Sequence, residues 1–246
     1  MRDEKLGLAV ECIFKANRSV YGARKIKVKL AAVGIRASKL RITRIMKARG
    51  LISAYTKKKY KVGKAVVNEA NVPNLLNRQY SGRKHLEVLV SDVTYVKVSN
   101  KWAYTCLFLD LANRELAGHA ASWRRDAKLV QSTIASMNIN LFEVGMLHTD
   151  RGSEFDNMAI DEALECFAIR RSLSNKGTPL DNAVAEATFK LYKAEFAYRE
   201  SFNSLEELQI KLSDYVHWFN NIRIHSTLGY LTPVEFREKG LLILSK

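Results

Sequence analysis

Apolar positions recur at helical spacing three times before residue 50. Leu6, Val10, Ile13 and Phe14 make one apolar face over residues 4–16. Ile26, Leu30 and Val33 predict a second helix over 22–33, closed by Gly34. A third runs from Ser38 as N-cap through Ile42, Ile45 and Met46 and is closed by Gly50. The last two helices, joined by Gly34-Ile35-Arg36-Ala37-Ser38, predict a helix-turn-helix in which Lys39, Arg41, Arg44 and Lys47 lie off the apolar face, free to meet phosphates or base edges. The turn is longer than the usual three or four residues. Any basic amphipathic helix pair would give the same pattern.

Periodicity is lost over residues 54–84, which read as a basic linker; Lys57, Lys58, Lys59 and Lys61, interleaved with Tyr55, Tyr60 and Tyr80, suit either contact with a DNA backbone or a flexible tether. From His85 the pattern becomes β-branched and apolar. Strands are expected over Leu86–Val98, Trp102–Leu109 and Leu116–Trp123, then a helix over 127–138 and a short strand ending at Thr149. A helix over 154–167, a strand over 168–172, a long helix over 181–198 and a last helix from Ser204 to about Asn221 complete the pattern. That order describes an α/β domain with a mixed sheet and helices on its faces. The expected divisions are 1–53 helical, 54–84 linker, 85–200 core, and 201–246 a C-terminal helix and tail.

Charge changes the picture more than composition does. The 246 residues are 47% hydrophobic, enough for one sizeable core and a satellite domain, and carry a net charge of +15. Residues 1–84 hold 22 of the 40 Lys and Arg but only 4 of the 25 Asp and Glu, so the whole excess is N-terminal. A polycationic first third joined to a near-neutral remainder fits a nucleic-acid-binding arm, with a solvated or membrane-surface patch as the plainer alternative. No 18-residue apolar run and no signal-like leader occur, and the cysteines Cys12, Cys106 and Cys166 are far apart; the expectation is a cytoplasmic, reduced protein without a membrane span.

Three acids stand out. Asp92 interrupts an apolar strand, Asp150 follows a short strand at a Gly-containing turn, and Glu186 lies one turn inside a helix opened by Thr178-Pro179-Leu180-Asp181-Asn182. A carboxylate inside a buried strand is costly unless something stabilises the anion. Clustered carboxylates with no Cys or His partners favour Mg²⁺ or Mn²⁺ over Zn²⁺, and such a site suits phosphodiester chemistry. Residue types and spacing leave open that Asp92 pairs with an arginine, that Asp150 opens a turn and that Glu186 faces solvent. Asp110, Glu154, Asp156 and Asp181 read as caps and solvent-facing charges. Lys190 and Lys193, four and seven residues beyond Glu186 on its helical face, are placed to hold a DNA end.

Here the residues carry a resemblance. Ser91-Asp92-Val93-Thr94-Tyr95, His148-Thr149-Asp150-Arg151-Gly152-Ser153-Glu154-Phe155 and Asp181-Asn182-Ala183-Val184-Ala185-Glu186, with 35 residues between Asp150 and Glu186, closely resemble the DDE core of retroviral integrases and bacterial insertion-sequence transposases. The stretch from Phe219 to Phe236 is similar to the tail of OrfB-type transposases of the insertion-sequence-three family, and Tyr21-Gly22-Ala23-Arg24-Lys25-Ile26 through Gly50-Leu51 resembles that family's helix-turn-helix.

The resemblance implies an RNase H-like core with a mixed five-stranded sheet behind a small basic helical domain. It implies two Mg²⁺ ions on Asp92, Asp150 and Glu186, with Mn²⁺ as a substitute, and DNA cleavage at inverted-repeat ends followed by strand transfer to target DNA. Arg24 and Lys25 become DNA-contact candidates, and the tail residues Arg223 and His225 either touch DNA or pack against the core. By the same resemblance the chain acts as a multimer, nucleoid-associated when bound to double-stranded DNA, with an upstream OrfA partner or frameshift fusion supplying a further helix-turn-helix and coiled coil. Two departures are Leu89-Val90-Ser91 where the family has Trp-x-Thr, and Leu180 where it has an aromatic residue or Cys. Alternative functions are a DNA-binding regulator with a non-catalytic RNase H-like fold, or a nuclease of the same superfamily.

Overall fold

The three expected helices form as α1 (Arg2–Ala16), α2 (Ala23–Ala32) and α3 (Lys39–Ala48) in a computed structural model that describes residues 2–56 and 72–244. Ser38 caps α3, its Oγ accepting from the Arg41 N–H at 3.2 Å. Gly34 and Gly50 both take positive φ, the left-handed turn for which glycine carries no Cβ penalty. Buried Val10, Phe14, Ile26, Leu30, Ile42 and Met46 form the shared core. Arg49, just past α3, bonds Glu11 of α1 at 2.7 Å and lies over Gly7, where a Cβ would stand 2.6 Å from its Nε.

The chain divides into two units, one of Met1–Val62 with Ile222–Thr232 and the other of Gly63–Asn221 with Pro233–Lys246. The expected boundary at residue 201 therefore does not describe the tail. Residues 222–232 belong with the N-terminal helices because buried Tyr21 accepts the Ile224 N–H at 2.9 Å, and Arg223 bonds the Tyr55 hydroxyl at 3.1 Å. A short turn, with the His225 N–H bonded to the Leu231 carbonyl at 2.9 Å, closes the tail on itself.

The second unit is built on a five-stranded mixed sheet of order β3-β2-β1-β4-β5. Its strands are β1 (Leu89–Val98), β2 (Lys101–Asp110), β3 (Leu116–Ser122), β4 (Met146–Thr149) and β5 (Arg170–Leu173). β1 to β3 form the expected antiparallel meander, and β1, β4 and β5 run parallel. One face carries α4 (Ala127–Ala135) and α5 (Met158–Cys166) over Leu89, Val93, Cys106, Phe108 and Leu147. α5 starts four residues later than the pattern predicts, because residues 152–156 turn tightly and Asn157 supplies the cap. The expected long helix is interrupted: a 3₁₀ turn (Pro179–Asn182) precedes α6 (Ala183–Tyr192), and a π-helical stretch (Lys193–Ala197) follows it. α7 (Leu205–Asn221) joins α6 in an aromatic cluster of Tyr192, Phe196, Tyr215 and Trp218. α8 (Pro233–Leu244), hidden in the sequence behind the tail motif, packs on α7.

Candidate active site and DNA-facing surface

Strand pairing brings two of the acids near one another. β1 and β4 pair in parallel with Leu89 opposite Leu147 and Val90 opposite His148; Asp92 and Asp150 each lie two residues beyond that pairing, and the Asp150 charge acts on Asp92. Asp150 follows the carboxyl end of β4, where open α/β sheets present their crevice, while Asp92 is the fourth residue of β1. Two hydrogen bonds fix the start of α6 at the same place. Asn182 Nδ2 donates to the Ser91 carbonyl at 3.1 Å, and the His148 ring meets the Asp181 carbonyl at 2.9 Å. Glu186 is thereby carried toward the acids on the first turn of α6.

Electrostatics describe a charge imbalance. Burial, then the Asp150 carboxylate, push Asp92 up to about 7 against the Val93 N–H, Lys193 and Arg125. Asp150 is also raised, by burial first and then by Glu154 and Glu186, against the Gly152 N–H and Arg125. Neither acid is in an ion pair among the described residues. Glu186 turns instead to Lys190, 3.4 Å away, and among the described residues no three His, Cys, Asp or Glu side chains stand close enough to hold one ion. The carboxylates thus share a field without converging on one point. Hard oxygen donors that raise one another's pKa are chemically suited to a divalent cation, which would offset that repulsion.

Sequence reasoning missed one cation whose charge acts on both acids. Arg125, one residue before the α4 cap, bonds Glu154 Oε1 through Nε at 2.8 Å and Nη2 at 2.6 Å, and its charge also acts on Asp150 and Asp92. Glu154 is not solvent-facing as expected but 1% exposed, with Oε2 unpartnered. The signal that could have flagged it is Gly152, where any Cβ would stand 2.6 Å from that carboxylate. Asp110 and Asp181, expected as caps or solvent-facing charges, are buried. Asp110 is held by His85 and the Leu86 and Ala112 N–H groups, and Asp181 by Arg78, Asn74 and the Asn175 N–H. His148 is buried and pushed down to about 4 by burial, a neutral ring bonding Ser172 of β5 at 2.8 Å.

The basic candidates separate by place. Arg24, Lys39, Arg41, Arg44 and Lys47 are exposed, and an open depression of about 520 Å³ runs along α3 between Leu40, Arg41, Arg44 and Ala48. Lys25 lies half-buried over the Tyr21 ring at 5.0 Å. Lys190 is exposed, and Lys193 stands 5.6 Å over the Tyr95 ring, within the field of Asp92. Lys57, Lys58, Lys59 and Lys61 lie outside the described residues. Arg223 and His225 are interior, 3% and 7% exposed, with Arg223 Nη1 bonding the His225 ring at 2.8 Å.

Comparison with known proteins sets this geometry in a family. Two models described as integrase core domain match residues 82–179 and 186–241, and one described as HTH-like domain matches residues 1–59. InsK of insertion sequence element IS150 from Escherichia coli K12 is 30% identical over 229 residues, spanning 92% of this chain and 81% of that protein. The chain belongs to the insertion-sequence transposases with an integrase-type core. The transposase for IS904 from Lactococcus lactis is 27% identical over 238 residues, covering 96% of this chain and 94% of its own length, and the IS629 transposase of Shigella sonnei is 27% identical over 246. Among solved structures, the catalytic core of bovine immunodeficiency virus integrase (BIV) superposes with a TM-score of 0.45 at 16% identity, covering 65% of this chain and 99% of that one. By its family the transposase chain is a polynucleotidyl transferase with an integrase-type core and a helix-turn-helix-like N-terminal domain. No helix of the described residues is long and apolar enough to cross a membrane.

Proposed function

We propose that Asp92, Asp150 and Glu186 hold two divalent cations, Mg²⁺ or in its place Mn²⁺, and that the chain uses them to cut DNA at its element's inverted-repeat ends and join those ends to target DNA. The supporting observation is the Asp92–Asp150 pair, each two residues past the β1–β4 pairing, with the Asp150 charge raising Asp92 and neither acid in an ion pair among the described residues. Two such ions, when bound, would supply activation of an attacking oxygen and stabilisation of a leaving one. The chain's own residues supply the rest. Asn182 and His148 hold α6 so that Glu186 stays within reach once released from Lys190. Arg125, anchored by Glu154, offers a guanidinium beside the acids for a phosphate oxygen. Lys190 and Lys193 hold the DNA end there, and α3, with Arg24 and Lys25 of α2, grips duplex DNA.

Synapsis of two ends requires more than one copy, and an upstream OrfA-type partner would supply end recognition. The test is cleavage and joining of end-sequence DNA with and without Mg²⁺, the partner supplied, by wild type beside Asp150→Asn. Loss of both steps in the variant is expected. Equal activity, or none from wild type, would sink the catalytic reading in favour of a DNA-binding regulator, and cleavage without joining would assign a nuclease.

A further inference from the structure

An aromatic ledge lies beside Lys193, and its rings have no part in the reading above. Tyr95 lies three residues beyond Asp92 on β1, on the other face of that strand, and its strand partner is Tyr104, while Trp102 pairs with Lys97. Tyr95 and Trp102 are therefore diagonal neighbours on one face of the hairpin, within reach of long side chains. Their rings meet edge to face, centroids 5.0 Å apart at 85°. Trp102 is 55% exposed, and Tyr198, at the end of the π-helical stretch, is 53% exposed. The Tyr198 hydroxyl is near enough to Tyr95 to act on its ionisation.

Topology connects this ledge to the acids. β4 pairs with β1 only at Leu89 and Val90, so beyond Val90 that edge of β1 carries no strand, and α6 packs along β1 instead. Lys193 follows α6 directly, with its ammonium over Tyr95 and in the field of Asp92. Exposed Lys97 and Lys101 flank the hairpin turn, exposed Lys190 lies one turn before Lys193, and residues 95–104 contain no acid.

Aromatic faces among cations are the recognition chemistry of an unpaired nucleic-acid strand: bases stack and phosphates meet lysines. Where a duplex end opens, the freed base needs a surface. We propose that Tyr95 and Trp102 form a stacking ledge for an unpaired base of the DNA strand whose phosphodiester lies at Asp92 and Asp150, with Lys193 on the adjoining phosphate. The base class follows from the π-face alone, so the ledge tolerates any of the four bases. It rests on the proposed function for its substrate, but binding reads it without cleavage.

The experiment compares the full chain's affinity in EDTA for a blunt duplex and for the same duplex carrying a four-nucleotide unpaired end with 2-aminopurine in it. Wild type is expected to favour the open end by roughly 5- to 150-fold, the equivalent of about 1–3 kcal/mol for one stacked base, and to quench the 2-aminopurine. Trp102→Ala brings the ratio toward one and removes the quenching, and Trp102→Phe restores much of both. Trp102 is more than half exposed, so the truncation leaves the core intact. A ratio unchanged in Trp102→Ala, or no preference in wild type, overturns the ledge. So does an unchanged ratio with an altered sedimentation profile, which would assign the face to contact between copies. A wild type that stacks the base yet never cleaves would refute the metal reading and leave the ledge standing.

Discussion

Replacing Asp92 by Asn should make the metal-free protein more stable, by an amount that grows with pH. The folded structure raises this carboxyl from 3.8 to about 7, through burial and the charge of Asp150. Three pH units at 1.36 kcal/mol each correspond to about 4 kcal/mol held against the folded state once the group must ionise. Asp92 keeps some contact with solvent, which brings the figure to about 2–4 kcal/mol. The sign follows from proton counting: between pH 4 and 7 the folded chain holds the proton longer than the unfolded one, so stability falls as pH rises through that window. Asn carries no charge and still accepts the Val93 N–H that Asp92 accepts at 2.7 Å. In EDTA the two proteins should melt alike near pH 4 and diverge by roughly 5–15 °C at pH 8.

His148 makes the comparison sharper because its slope is opposite. Its folded value of about 4, against 6.5 unfolded, contributes about 3 kcal/mol that is present above pH 6.5 and lost as pH falls to 4. The two residues nearly cancel in wild type. Asp92→Asn therefore exposes a rising slope between pH 4 and 6.5 that wild type masks. Saturating Mg²⁺ should then stabilise wild type more than the variant, by about 2.7 kcal/mol at one hundred times the dissociation constant. Equal melting of the two proteins at pH 8 in EDTA, or a gap independent of pH, would refute the uncompensated carboxylate pair.

Three further outcomes follow from particular contacts. Gly152→Ala sets a methyl 2.6 Å from the buried Glu154 carboxylate that Arg125 holds in place; urea unfolding should show a loss of roughly 1–3 kcal/mol, and a neutral result would mean that Glu154 is not fixed there. Tyr21→Phe leaves the Ile224 N–H without its acceptor, so amide exchange across residues 222–232 should accelerate by the equivalent of about 1–2 kcal/mol, whereas unchanged exchange would detach the tail from the helical unit. Arg44→Ala should lower the salt slope of duplex binding by about 0.9, measured by anisotropy over a KCl series; an unaltered slope removes α3 from the DNA interface.

What the sequence made legible is what local chemistry determines. Ser38 and Gly50 bound α3 because a cap and a left-handed turn are decided within four residues. The meander is visible because alternation and the Asn100-Lys101 turn act locally. Asp92 could be singled out because an acid inside a valine-rich strand is anomalous wherever it folds. The tail was not placed, since Tyr21 and Ile224 meet across two hundred residues of chain and neither has a sequence pattern that points to the other. Glu154 looked like any acid after a turn, and only its distant partner Arg125 makes its burial tolerable. The π-helical stretch also escaped, because Lys193–Ala197 keeps the composition of a helix while its hydrogen bonds shift register.

The buried acids of the second unit differ in a way that bears on function. Asp110 has His85 and two backbone N–H groups, Asp181 has Arg78, two amides included, and Glu154 has Arg125. Each has at least one cationic or histidine partner, although Glu154 keeps Oε2 unpartnered. Asp92 and Asp150 accept only single local N–H groups, from Val93 and Gly152, and Asp92 is held up by the Asp150 charge while Asp150 is held up by Glu154 and Glu186. Of the buried acids of this unit, these two lack an ion-pair partner among the described residues, which is the contrast on which the proposed cation site rests. The same reasoning explains Glu186, which at 3.4 Å from exposed Lys190 makes a weak surface pair that a divalent ion could outcompete at small cost.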